Sequence, residues 1–68
     1  LPFKVRDRLT IQRKEIRELQ RLLNDEEKLE FKAKHGNFNS VDECRTAFKE
    51  ELERLIHEFI EEVNDYKD

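Results

Sequence analysis

The stretch His35-Gly36-Asn37-Phe38-Asn39-Ser40-Val41-Asp42-Glu43 decides the fold. It holds the chain's only glycine and separates two long segments that both carry apolar residues at helical spacing. Gly36 follows the last periodic residue of the first segment, where a helix C-terminus favours a residue free to take positive φ. Lys32, Lys34 and His35 put positive charge at that end, as the helix dipole prefers. Ser40-Val41-Asp42-Glu43 has the S-x-x-E form of a capping box. There the Ser40 hydroxyl accepts from the Glu43 N–H, and the Glu43 carboxylate accepts from the Ser40 N–H. Asp42 and Glu43 also favour the positive end of a second helix. The expectation is a turn over 35–39 made by Gly36, Ser40 and Glu43, with Phe38 tucked beneath it. A connection this short favours antiparallel neighbours.

Downstream of the turn, Val41, Cys44, Phe48, Leu52, Leu55, Phe59, Val63 and Tyr66 recur every three or four residues, which is one helix face. Ala47, Ile56 and Ile60 widen that stripe beyond what a single neighbouring helix covers. The second helix is expected over about 41–66. Upstream, a helix is expected over about 3–34. Val5, Leu9, Ile16, Leu19 and Leu23 form its seam, with Gln12 as the polar exception. Leu22, Leu29 and Ala33 continue the stripe after Glu26 interrupts the strict register. Ile11 and Phe31 lie off it, and Pro2 fits only at or before the first turn.

Charge placement points to the same topology. Residues 1–23 carry seven Lys/Arg against three Asp/Glu, a net +4, and residues 50–68 carry two against eight, a net −6. An antiparallel arrangement sets these stretches side by side, whereas a parallel dimer sets like against like. Each exposed pair contributes only about 0.2–1 kcal/mol and is screened by salt.

Composition bounds the rest. Sixty-eight residues make one small domain, and so short a chain needs a staple or a partner to complete a core. A single cysteine excludes an intrachain disulfide. Cys44, His35 and His57 are too scattered for a zinc site, so no metal or cofactor is expected. One unpaired cysteine fits a reducing, cytoplasmic setting. The absence of Met and the start at Leu1-Pro2-Phe3 are what a piece of a longer protein would show. Charged residues make up 46% of the chain, which taken alone suggests disorder. One Gly, one Pro and strong periodicity point instead to long exposed helices. No apolar run approaches the ~20 residues of a membrane span, and no signal-peptide pattern is present. The expected fold is all-α: a two-helix antiparallel coiled-coil hairpin that dimerises into a four-helix bundle.

Catalysis is not expected, because two charged helices offer no concave site with convergent polar groups. His57 and Glu61 stand one turn apart but read as an exposed helix pair. Cys44 reads as a small core residue rather than a nucleophile, and Asp25-Glu26-Glu27 as a solvated helix face. Lys4, Arg6, Arg8, Arg13, Lys14, Arg17 and Arg21 make the first helix basic enough to weigh nucleic-acid binding. The interleaved Asp7, Glu15 and Glu18 and the net charge of −3 weigh against it. A membrane-surface role lacks interfacial aromatics beyond Phe3.

The segment Glu30-Phe31-Lys32-Ala33-Lys34-His35-Gly36 resembles the Rho-binding antiparallel coiled-coil repeat of the protein kinase C-related kinases. In that family a Glu-Leu-Lys-Val/Ile-Lys-x-Gly segment closes the first long helix. Glu30, Lys32, Lys34 and Gly36 match, and Phe31 and Ala33 are apolar substitutes. The family's Ala-Glu-Asn after the glycine is absent, and the connection is shorter. Gly36 followed by Asp42-Glu43-Cys44-Arg45 and a leucine-bearing helix looks, more loosely, like the Rab-binding hairpin of rabenosyn. Both resemblances imply a hairpin that binds a small GTPase.

The sequence therefore reads as a non-enzymatic protein–protein interaction module, with small-GTPase binding as its most specific form. Homodimerisation is the alternative and nucleic-acid binding the third. Leu19, Leu23, Phe48, Leu52, Leu55 and Phe59 are expected to hold the hairpin. Ile56, Ile60 and Val63 are expected to meet a partner.

Overall fold

In the computed structural model, which describes residues 3–66, the first segment folds as two helices rather than one. Helix α1 spans Phe3–Leu23 and α2 spans Glu26–His35. The break falls at Asn24–Asp25. The Asn24 N–H donates to the Gln20 and Arg21 carbonyls, and the Asp25 N–H to that of Leu22. Asp25 then adopts extended backbone (φ −116°, ψ 98°), and its carboxylate accepts from the Lys28 N–H at 3.2 Å. An Asp in that geometry is a helix N-cap. Glu26 and Glu27 add negative charge in the first turn that follows. Asp25-Glu26-Glu27 is thus the start of a helix, not a face in the middle of one. The position of Pro2 lies outside the described residues.

Helix α3 spans Val41–Asp65. The Ser40 hydroxyl accepts from the Glu43 N–H at 3.1 Å, so the expected cap forms on that side. The turn before it departs from expectation in one respect. Gly36 has φ −111°, and Asn37 takes the left-handed conformation at φ 63°. Gly36 is required on steric grounds instead. A Cβ there would lie 2.6 Å from the Lys32 carbonyl oxygen and 3.2 Å from the Phe38 ring.

Antiparallel α1 and α3 form the long body. Arg8 near the start of α1 reaches Glu62 near the end of α3 at 2.6 Å. At the other end, Leu22 and Leu23 pack with Phe48 around the buried cluster. The 25 residues of α3 span about 37 Å at 1.5 Å each. That one helix accounts for most of the molecule's 44 Å length, against widths of 18 and 16 Å.

The core sits at the turn end. Leu29 and Ala33, one turn apart on α2, close with Cys44 of α3 into a buried cluster. Leu22, Leu23, Phe38, Val41 and Phe48 pack against it, half-buried. Phe38 lies under the turn with its ring centroid 6.0 Å from that of Phe48. Among the described residues, Val5 is the one buried near the far end of the rod. The six residues expected to hold the hairpin are all half-buried and none is buried. Leu23 and Phe48 support the cluster, Leu19 borders a groove with Lys28 and Lys32 of α2, and Leu52, Leu55 and Phe59 lie further along α3 where it faces α1. None of the described helices is long and apolar enough to cross a membrane.

Candidate interaction surface

The widened stripe of α3 brings Ile56, Ile60 and Val63 to one edge of the α1–α3 body. Ile56 and Phe59 share a shallow groove with Arg13, Ile16, Arg17 and Gln20 of α1. Ile60, one turn past Ile56, is 50% exposed, and Val63 is half-buried. Glu53, three residues before Ile56, falls on the same face and is exposed. The surface is an apolar row on α3 beside a basic row on α1. Arg13 and Arg17 were legible in the sequence only as part of a basic helix. Their place beside Ile56 depends on how α1 is rotated against α3. Phe3, Ile11, Phe31 and Tyr66 are also exposed, but on other parts of the molecule's helices or at their ends.

The charges are less spent than their placement in sequence suggests. Among the described residues, Arg8–Glu62 is the single ion pair between α1 and α3. The remaining pairs lie elsewhere. Arg54 pairs within α3 with Glu51 and Glu58, and His57 Nε2 lies 2.9 Å from Glu61 on an exposed helix face. Arg45 donates to Glu26 of α2 at 2.7 Å and to Asp42 at 2.9 Å, which ties the start of α3 to the start of α2. The hydrogen bond and charge of Glu26 hold the Arg45 guanidinium above its ordinary value, and Asp42 adds to this. Arg6, Arg13, Lys14, Arg17 and Arg21 make no ion pair among the described residues. Helical spacing gathers these five on one side of α1.

Two further features bear on the surface. Gln12, the polar exception in the α1 seam, has a buried Oε1 with no hydrogen-bond partner. Cys44 is a fully buried free thiol, out of reach of a substrate. Among the described residues, no three His, Cys, Asp or Glu side chains converge as metal ligands would.

Comparison with known protein families, curated proteins and solved structures finds no match for this chain.

Proposed function

We propose that this chain is a non-enzymatic helical module that binds another protein through the edge formed by Ile56, Ile60 and Val63. The observation that carries the reading is the half-exposed Ile60, set between the half-buried Ile56 and Val63, with Ile56 sharing a groove with Arg13 and Arg17, neither of which is ion-paired among the described residues. Apolar anchors with a charged rim are the usual anatomy of a protein interface. A nucleic-acid backbone would use the arginines but has no use for the isoleucines. A small GTPase of the Rho or Rab class is the specific partner suggested by the resemblance around Glu30–Gly36. The single unpaired cysteine supports a cytoplasmic setting.

The test is capture of purified Rho and Rab GTPases, loaded with GDP or a GTP analogue, by the wild-type chain and by Ile60→Asp. Binding that depends on nucleotide and is lost in Ile60→Asp supports the reading. Binding unchanged in Ile60→Asp overturns the surface assignment.

Homodimerisation into a four-helix bundle is the second reading, and the molecule's surface area favours it. The chain exposes 5654 Å², whereas a compact monomer of 8.4 kDa exposes about 4,600 Å². The excess, about 1,000 Å², is close to the ~800 Å² that each partner buries in a standard interface.

A further inference from the structure

We infer that the partner seated on this edge is a second copy of the chain, aligned by Arg17 of one copy against Glu53 of the other. The inference rests on the second, homodimer reading and deepens it by naming the surface and the register. The register follows from the one ion pair that joins α1 to α3. Arg8 stands level with Glu62. Nine residues further along α1 is Arg17, and nine residues back along α3 is Glu53. These two therefore also stand level with each other. Nine residues are two and a half helical turns, so Arg17 and Glu53 project from the edge opposite the Arg8–Glu62 pair. That opposite edge carries Arg13, Arg17 and Ile56. Both Arg17 and Glu53 are exposed there, and neither has an ion-pair partner among the described residues.

A twofold axis parallel to the helices satisfies this arrangement. It lays α1 of each copy on α3 of the other at the same height and in antiparallel sense. The Ile56–Ile60 row of each copy then meets the aliphatic stems of Arg13 and Arg17, which can cover apolar surface while their charged heads reach outward. Arg17 meets Glu53 of the second copy, and the symmetry makes the contact twice. Of the acidic residues between 50 and 65, Glu53 is the one that helical spacing places on this face, so the charge match across the interface is the Arg17–Glu53 contact itself. The exposed area left over by the monomer is of the size such a dimer needs.

The experiment is molar mass by light scattering and sedimentation over a concentration series for four chains: wild type, Arg17→Glu, Glu53→Arg and the double charge swap. Circular dichroism of each confirms that the helices persist. The wild type is expected to dimerise. Each single reversal, by turning two attractive contacts repulsive, is expected to raise the dimer dissociation constant roughly tenfold or more. The double swap is expected to restore it. A wild-type chain that stays monomeric at every concentration overturns the second copy as occupant, while docking of a different protein stands or falls by the GTPase capture. A dimer indifferent to the single reversals, or not restored by the double swap, overturns the Arg17–Glu53 register but leaves dimerisation intact.

Discussion

At Gly36 and Asn37 the turn divides between two residues a task that sequence patterns usually assign to one. Asn37 supplies the left-handed backbone and Gly36 supplies the missing Cβ. Two opposite expectations follow. Gly36→Ala suits its backbone angle, which alone would favour the folded state by about 0.4–1 kcal/mol. The clash of the new methyl with the Lys32 carbonyl outweighs this, since overpacking costs about 1–3 kcal/mol. The variant should therefore unfold at lower denaturant than the wild type. Asn37→Gly should be neutral or stabilising, whereas Asn37→Val should lose about 1–2 kcal/mol to left-handed strain. Gln12 presents the reverse case, a side chain that weakens the fold. Its buried carboxamide oxygen lacks a partner, and such a group costs about 1–3 kcal/mol. Gln12→Leu should raise the urea midpoint with little change in slope. A lower midpoint would mean that the amide is satisfied after all.

Among the elements, the separation of α1 from α2 was half-visible in the sequence. The strict register fails at Glu26, and Asn24-Asp25 followed by two glutamates has the composition of a helix start. Leu22, Leu29 and Ala33 nonetheless kept a plausible stripe running through the break, so periodicity alone favoured continuity. What ends α1 is the local competition of the Asp25 carboxylate for the Lys28 N–H. Asp25→Ala should cost about 0.5–2 kcal/mol and let α1 run on toward Leu29. Chemical unfolding would read the first effect, and slower amide exchange at residues 24–28 the second. Ser40→Ala should cost a similar amount through the lost bond to the Glu43 N–H, but without lengthening any helix, because Asn37 already turns the chain. The start of α3 was legible because cap and periodicity begin together. That of α2 was not, because its cap lies inside an existing stripe.

Over the whole molecule, the distribution of burial matters more than its amount. The three helices converge only at the turn end, where Leu29 and Cys44 are fully buried. Leu29→Ala should lose about 2–5 kcal/mol. For so small a domain that is most of the stability, so the variant should be largely unfolded by circular dichroism at 37 °C. Leu55→Ala, in the two-helix stretch where its side chain is only half-buried, should lose distinctly less. If both variants lost the same amount, the rod would be uniformly packed. The open stretch coincides with the candidate surface. Ile56, Ile60, Arg13 and Arg17 lie where α2 cannot reach and where a further helix would complete the packing.

The sequence by itself determined the all-α class, the turn near Gly36, the Ser40 cap and the excess apolar width of α3. These are local properties, set by period, cap chemistry and side-chain size within a few residues. Only the tertiary structure decided that the first segment bends over the start of α3, so that Leu29, Ala33 and Cys44 form the core. It also decided which charges pair. The +4 and −6 stretches predict attraction without saying which side of each helix carries it. The rotation of α1 against α3 joins Arg8 to Glu62 on one edge and turns Arg17 and Glu53 outward on the other. That rotation is a balance of apolar contacts along the whole seam. No short stretch of sequence contains it, and it is what leaves the Ile56–Ile60 edge open.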